Sequence, residues 1–338
     1  MHPFVISRGG YAHHRNVVVT ITDDDGVEGL GEAAPNRYYG ESEDTVLAAL
    51  EKLAPVLADA DPMSIEETEA RLDAALPRNS AAKSAVSAAL HDLVGKRLGI
   101  PVHRLWGLSP EKAPESSFTI AITENSVLAQ RVEEAKQYPI LKIKLGTDRD
   151  TEIVRIVRDA APDKRLRVDA NAAWTPKQAV EMSEFLSGQR VEMLEQPVPA
   201  QDIDGLRFVR ERSPIPVFAD ESCLVASDIP RLAGAVDGIN IKLAKCGSLR
   251  EAVRMTHVAR AHGLGIMAGC MIESSLGISA IAQIAPLLDA ADFDGAALLS
   301  DDPFSGTSIE GGRIRLASGP GLGVTRRTAA PRDRKRRG

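Results

Sequence analysis

The chain has 338 residues, 43% of them hydrophobic and 26% charged, with a formal net charge of −6, which leaves room for one barrel of about 200–250 residues plus a smaller domain. It contains no run of eighteen apolar residues, and its start, MHPFVISRGGYAHHRN, lacks the basic, apolar, small-residue order of a secretory signal, so a cytoplasmic protein without a membrane span is expected. The segment from Thr325 carries about +6 through its arginines and one lysine, which leaves the body strongly acidic and excludes a nucleic-acid-binding body.

Residues 16–33 predict a β-hairpin: NVVVTIT is β-branched, DDDG makes the turn, and VEGLGEA returns. The loop GEAAPNRYYGES follows, and from about Glu43 to Leu105 the apolar spacing is helical, most clearly in Ala81–Leu93. This first third reads as an α+β cap. From Phe118 the rhythm changes to alternating strand and helix. Eight apolar cores are expected as strands: Thr119–Ile122, Leu141–Leu145, Leu166–Asp169, Met193–Glu195, Val217–Asp220, Ile239–Leu243, Gly265–Ala268 and a weak eighth at Ala291–Phe293. Thr175-Pro176-Lys177-Gln178 and Ser248-Leu249-Arg250-Glu251 are capping-box patterns that start helices. Eight strands at this period, without a Gly-rich nucleotide fingerprint, favour a (β/α) barrel over a doubly wound sheet. Cys223, Cys246 and Cys270 have no close metal-binding spacing and are expected as free thiols near strand ends.

Lys144, Asp169, Glu195, Asp220, Lys242 and the pair Asp292/Asp294 stand at the ends of six of these cores, and in a parallel barrel such ends converge on the face that carries active sites. Asp169, Glu195 and Asp220 follow one another on successive strands, so their repulsion calls for a cation. Oxygen ligands without Cys or His point to Mg²⁺, with Mn²⁺ as the alternative. Lys144 comes one unit before the triad and Lys242 one unit after it, so the two should flank the metal. Residues two apart on a strand face the same way, which puts Lys142 beside Lys144; a neighbouring ammonium and the metal would lower the pKa of Lys144 toward that of a working base. Lys245 is expected to be a surface lysine. A divalent cation facing a carboxylate substrate, with a base on each side, suits removal of the proton α to that carboxylate and its return to the opposite face through an enolate, which is racemisation or epimerisation.

The segments PFVISRG, RYYGES, KIK, DAN, MLEQPVPAQD, ADESC, NIKLAKCG, GCMIESS and ADFDG together resemble the enolase superfamily, muconate-lactonising subgroup, and within it the L-Ala-D/L-Glu (dipeptide) epimerases. The resemblance runs from Pro3 to about Asp302. It implies a (β/α)7β modified TIM barrel at 116–304, capped by an α+β domain at 1–115 that part of 305–324 completes; 325–338, which has no counterpart in the family pattern, reads from its charge, Pro and Gly and lack of apolar periodicity as a basic, disordered tail. It implies that Asp169, Glu195 and Asp220 bind Mg²⁺, that Lys144 and Lys242 are the acid/base pair, and that Lys142 helps bind the substrate carboxylate. Asp292 and Asp294 would hold the α-ammonium of a dipeptide. Arg8 would meet the γ-carboxylate of a glutamyl residue, a part that Arg15 or Arg37 could take instead. Tyr38 and Tyr39 could wall the site, and Ser274 and Ser275 lie where side-chain preference could be set.

The implied reaction interconverts L-Ala-L-Glu and L-Ala-D-Glu, as in murein-peptide recycling. The implied partner is a small dipeptide, with no nucleic acid or membrane; association into a homo-oligomer is compatible with a capped barrel. Relative to the family pattern the chain starts about one strand late, so either the start is truncated or the cap sheet lacks an edge strand. The same scaffold serves N-acylamino-acid racemases, cycloisomerases, o-succinylbenzoate synthases and dipeptide epimerases of other side-chain specificity. Outside it, a Schiff-base lyase would need one lysine and no carboxylate cluster, and a binding barrel would gain nothing from two bases around a metal.

Overall fold

The computed structural model describes residues 4–7, 9–11 and 13–327. Two short antiparallel pairs open the chain: β1 (Phe4–Ile6) with β2 (Gly9–Tyr11), and β3 (Val17–Thr22) with β4 (Glu28–Ala33). The second pair is the expected hairpin. Its turn is held by Asp23, whose Oδ1 accepts from Asp25 N and Val27 N at 3.0 and 2.9 Å, the self-bonding that makes Asp a turn residue.

The helical stretch expected after the RYYGES loop forms α1 (Glu43–Ala58), α2 (Ile65–Ala75), α3 (Ser80–Leu98) and the short α4 (Val102–Leu105). Helix α3 is buried all round from Ala81 to Gly95, and its Ala-rich sequence lets β4 lie directly against it. A Cβ on Gly31 would stand 1.9 Å from Ala85 O, and one on Gly29 2.0 Å from Ala89 O. The Gly-Leu-Gly of β4 is therefore what permits this strand-on-helix contact.

All eight expected barrel strands are present. In chain order the barrel runs β5 (Phe118–Ile120), α5 (Asn125–Glu134), β6 (Ile140–Lys144), α6 (Asp150–Ala160), β7 (Arg165–Asp169), α7 (Pro176–Gly188), β8 (Val191–Glu195), α8 (Ile203–Arg210), β9 (Val217–Ala219), α9 (Ile229–Leu232), β10 (Gly238–Ile241), α10 (Leu243–Cys246), α11 (Leu249–Ala261), β11 (Gly265–Gly269), α12 (Ser275–Ala282) and β12 (Ala290–Asp292). The strands pair in parallel in that order. Ser116, just before β5, bridges Ala291 in parallel, and Ser117 N donates to Ala291 O at 3.0 Å, joining the last strand to the first. A 3₁₀ turn at Asp294–Leu298 replaces an eighth helix after β12, so the architecture is (β/α)7β.

Strand alternation sorts the barrel. Leu141, Ile143, Leu166, Val168, Ile239 and Ile241 belong to the fully buried core shared with the surrounding helices. Met193, Phe218, Met267 and Ala290 form a separate apolar cluster; Met193 stands two residues before Glu195, so on the inward face this cluster floors the barrel beneath the polar strand ends. Of the two expected capping boxes, Thr175/Gln178 is complete. Ser248 does cap α11, but the Glu251 carboxylate turns away to accept from Ala226 N at 2.8 Å.

After the barrel the chain forms β13 (Phe304–Ser305), β14 (Ser308–Glu310), β15 (Arg313–Arg315) and β16 (Thr325–Arg326), with β16 paired to β13. Thr325 and Arg326, expected as the start of a tail, are thus in a strand, and the tail from 328 lies outside the described residues. The returning segment reaches the cap at Asp92 of α3, which accepts from Leu322 N at 2.7 Å, Leu30 N at 2.9 Å and Lys96 Nζ at 2.7 Å.

Candidate active site

Register sets the height of the chemistry. Lys144, Asp169 and Glu195 are register partners on β6, β7 and β8, and Asp220 is the residue after β9. Asp169, Glu195 and Asp220 each offer an oxygen within 4.8 Å of the others, and all three are buried. The expected triad is therefore assembled.

Its charge is balanced by lysines. Lys144 Nζ donates to Asp169 Oδ2 at 2.6 Å and Lys242 Nζ to Asp220 Oδ2 at 2.7 Å. Lys142 points inward beside Lys144, its Nζ 2.7 Å from Glu195 Oε2, 2.8 Å from Asp292 Oδ2 and 3.5 Å from Asp169 Oδ2. Burial pushes the Asp169 carboxyl up, but Lys144 and Lys142 outweigh it and hold the group at about 2. Burial likewise opposes the Asp220 charge, yet Lys242 and Lys245 keep that carboxyl well below the usual range. Glu195 goes the other way: burial, then the neighbouring Asp169 charge, push it up to about 7. A site of three crowded oxygen donors, one of them half protonated near neutrality, with no nitrogen or sulfur donor, fits a hard divalent cation that would relieve the crowding.

The carboxylates of Asp169 and Glu195 are also oriented from behind, and the backbone of Asp220 is held. Asn171 N and Nδ2 donate to Asp169 at 2.8 and 3.2 Å. Asn240 Nδ2 donates to Glu195 Oε1 at 2.8 Å. Gln196 Oε1 accepts from Asp220 N and Ser222 N at 2.9 and 3.1 Å, tying the end of β8 to the end of β9. Asn171 and Gln196 both have positive φ, 47° and 36°, an unusual backbone for these residues that clusters here at functional side chains. Sequence reading passed over Asn240, although the two-residue rule that found Lys142 would have found it from Lys242.

Lys245 corrects the sequence reading. It is not a surface lysine: it is 2% exposed and its Nζ donates to Asp220 Oδ1 at 2.6 Å, Asp220 O at 2.6 Å, Asn240 O at 2.8 Å and Cys223 O at 3.1 Å. The short α10, entered from its N-cap Lys242, carries Lys245 nearly one turn further and drives it into the barrel wall behind Asp220.

Asp292 and Asp294 line the same cavity as the triad lysines. The strand rule alone does not explain this, because β12 ends at Asp292 and Asp294 opens the 3₁₀ turn. Asp292 Oδ1 accepts from Ser117 Oγ at 2.8 Å, and Asp294 Oδ2 from Thr119 N at 2.6 Å. Burial, then the Asp292 charge, push the Asp294 carboxyl up to about 7. Asp292 is lowered despite its burial, chiefly by Lys142.

The cavity holds about 670 Å³ between barrel and cap. Its cap wall includes Ile6, Gly9, Pro35, Asn36, Tyr38 and Tyr39, and its barrel wall Cys270, Met271 and Ile272. The two tyrosines pack edge to face with centroids 5.0 Å apart. Arg15 and Arg37 line the cavity, Arg15 paired with Glu43 at 3.2 Å; Arg8 lies outside the described residues. Ser274 and Ser275 do not line the cavity as expected. Ser274 caps α12 and bonds to Glu32, and Ser275 Oγ donates to Asp302 at 2.6 Å. Glu32, on β4 of the cap, also accepts from Gly277 N at 3.0 Å and Asn16 Nδ2 at 2.7 Å, so a cap carboxylate sits on the positive end of a barrel helix. Asn16 donates further to Ile272 O at 2.8 Å. The three cysteines are free as expected, and burial raises all three thiols, Cys223 and Cys246 to about 12.

This capped barrel with a carboxylate triad and facing lysines defines a class, and the sequence places the chain within it. Residues 1–107 match the mandelate racemase / muconate lactonizing enzyme N-terminal domain and residues 126–330 the enolase C-terminal domain-like family. The chain belongs to the mandelate racemase / muconate lactonizing enzyme family of the enolase superfamily. It is 43% identical to the L-Ala-D/L-Glu epimerase of Bacteroides thetaiotaomicron over 89% of this chain and 78% of that one. It is 39% identical to an L-Ala-D/L-amino acid epimerase of a Maribacter species over 96% and 95%. Among solved structures it is similar to a dipeptide epimerase from Enterococcus faecalis complexed with Mg and L-Leu-L-Tyr, with a TM-score of 0.91 and 33% identity over 96% of this chain and 95% of that one. The substrate-liganded L-Ala-D/L-Glu epimerase from Bacillus subtilis gives 0.92 and 32% over 96% and 94%. These relatives are epimerases, isomerases acting on amino acid derivatives.

Proposed function

We propose that the chain is a Mg²⁺-dependent dipeptide epimerase that interconverts L-Ala-L-Glu and L-Ala-D-Glu in the cytoplasm, in the recycling of murein peptides. The observation that carries this reading is the placement of Lys144 and Lys242. Both line one cavity, and β6 and β10 stand four places apart in a ring of eight strands, so the two amines approach a bound molecule from opposite sides. Bound by Asp169, Glu195 and Asp220, Mg²⁺ would stabilise the negative charge that grows on the substrate carboxylate as its α-proton leaves.

The residues divide the remaining work. Lys142, whose Nζ stands between Glu195 and Asp292, holds the substrate carboxylate. One of Lys144 and Lys242, as a free amine, removes the α-proton, and the other, as an ammonium, returns one to the opposite face, which inverts the centre. Asp292 and Asp294 receive the α-ammonium of the N-terminal residue, a cation that favours the ionised form of Asp294. The proposal keeps Arg8 as partner of the glutamyl side-chain carboxylate. Its neighbours in sequence, Ile6 and Gly9, both line the cavity.

A second reading concerns only side-chain preference. Ile6, Pro35, Met271, Ile272 and Leu298 put apolar surface on the cavity, and related chains 34% identical to this one include a hydrophobic dipeptide epimerase from Enterococcus faecalis. An L-Ala-hydrophobic dipeptide is the alternative substrate.

Proton NMR in D₂O with Mg²⁺ tests both readings. L-Ala-L-Glu is expected to lose its glutamyl α-proton signal as the D-Glu diastereomer appears, and EDTA to stop both. Turnover of L-Ala-L-Leu in place of L-Ala-L-Glu would select the apolar reading; exchange of neither by folded, metal-loaded protein would reject dipeptide epimerisation for both.

A further inference from the structure

We infer that Lys245 is a positioning residue for the metal site: a buried lysine whose Nζ fixes the rear oxygen of Asp220 so that the carboxylate presents its other side to the ion and to Lys242. This inference rests on the reading of the triad as a Mg²⁺ site.

Asp220 is gripped by two lysines of one short segment, with different surroundings. Lys242 Nζ meets Oδ2 at 2.7 Å and lines the cavity. Lys245 Nζ meets Oδ1 at 2.6 Å, its side chain is fully buried, and it does not line the cavity. A group so enclosed cannot touch substrate or exchange protons with it, so an acid/base role is closed to it. Its other contacts are three main-chain carbonyls, Asp220 O, Asn240 O and Cys223 O, at 2.6, 2.8 and 3.1 Å. An ammonium has three donors, and here four acceptors surround them, from the ends of β9 and β10 and the loop after β9. Lys245 thereby locks the backbone that carries Asp220 to the backbone that carries Asn240, which in turn holds Glu195. Two of the three triad carboxylates are set through it.

The sign of the effect separates this role from simple electrostatics. A cation beside a metal site repels the metal, so if charge alone mattered, removing it would tighten Mg²⁺ binding. If Lys245 acts by orienting Asp220, removing it lets the carboxylate turn and weakens binding. Loss of an orienting partner behind a metal ligand costs roughly 10–100-fold in affinity.

The experiment is isothermal titration of the full-length metal-free protein with MgCl₂ for the wild type, Asp220→Asn, Lys245→Met and Lys245→Gln, with thermal unfolding of each metal-free form. Wild-type binding lost in Asp220→Asn establishes the triad as the site; no wild-type binding would overturn the reading of the triad and this inference with it. Given wild-type binding, both Lys245 variants are expected to bind Mg²⁺ roughly 10–100-fold more weakly while still unfolding cooperatively without metal. Unchanged or tighter binding in either folded variant would overturn the inference and leave the triad reading standing. Failure of both variants to fold would assign Lys245 to the fold instead, and overturn it equally.

Discussion

Glu195 and Asp292 stand on strands four places apart in the ring and are joined through one cation, Lys142 Nζ, at 2.7 and 2.8 Å. The carboxylate-triad side of the cavity and the Asp292/Asp294 side are therefore one electrostatic unit. A dipeptide lying across this span would put its carboxylate toward the triad and its ammonium toward the aspartate pair.

If the pair binds that ammonium, Asp294→Asn should raise KM for L-Ala-L-Glu with a smaller change in kcat. A charge-assisted hydrogen bond is worth about 1.5–3 kcal/mol, so a rise of roughly 10–100-fold is expected. Steady-state kinetics on L-Ala-L-Glu and its N-acetyl form provide the check: the variant should lose most of the wild-type preference for the free amine. An unchanged preference would remove the pair from substrate recognition.

Protonation makes metal-free stability depend on pH in a defined direction. Glu195, Glu273 and Asp294 are each pushed up to about 7, burial being the first cause in every case. A carboxyl with a raised pKa binds its proton more tightly in the folded state, so its contribution is fully present below the unfolded value and is lost as pH rises through the folded one. Asp169, held at about 2, has the opposite sign, but its effect falls at lower pH. His14, His91 and His103 are lowered by burial and act the other way up to about pH 6.5, where the unfolded chain holds their protons. Tm in EDTA should therefore fall between about pH 6.5 and about pH 8, and Mg²⁺ should restore more of it at the upper end, where Glu195 is ionised. A Tm in EDTA that rises across that window would contradict this assignment.

Glu32 ties the cap to the start of α12, accepting from Ser274 N at 3.0 Å and Gly277 N at 3.0 Å. Glu32→Ala would leave buried donors of a helix N-terminus without their carboxylate, at a cost of about 2–4 kcal/mol. Urea unfolding should report that loss, and because Asn16 and Ile272 border the same junction, KM should rise as well. A variant within about 0.5 kcal/mol of wild type would show that the cap is held elsewhere.

Gly31→Ala tests the packing of β4 on α3. The added methyl would lie 1.9 Å from Ala85 O, and backbone must move to admit it, so a destabilisation of about 1–3 kcal/mol or more is expected. Gly26, whose added Cβ would meet nothing within 4 Å but whose φ is +79°, makes a useful contrast: Gly26→Asn, which tolerates that φ, should change urea stability little.

What was legible in the sequence was whatever repeats or projects by a local rule. The eight strands came from apolar cores at a regular period, and the triad with Lys144 and Lys242 from their common place at strand ends. Lys142 came from strand alternation. Lys245 was misread because its fate depends on four acceptors from three places in the chain, and nothing local to KLAKCG announces them. Asn240 was within reach of the alternation rule, since it stands two residues before Lys242. Glu32's place on α12 was not, because Ser274 and Gly277 lie 242 and 245 residues away and only the cap's docking brings them to it. Ser274 and Ser275 sat in the right loop for a specificity role, but the start of α12 uses their hydroxyls internally.

The central claim is that two lysines work on opposite faces of one carbon. The direct measurement is solvent exchange in D₂O by Lys144→Ala and Lys242→Ala, each given L-Ala-L-Glu and L-Ala-D-Glu in turn with Mg²⁺, with glutamyl α-proton loss followed by NMR. Each variant should lose epimerisation by roughly 10²–10⁴-fold, the usual weight of a general base. One should still exchange the α-proton of the L epimer alone and the other that of the D epimer alone. If a folded, metal-loaded variant epimerises near the wild-type rate, or if both variants exchange the same epimer, the two-face account is wrong.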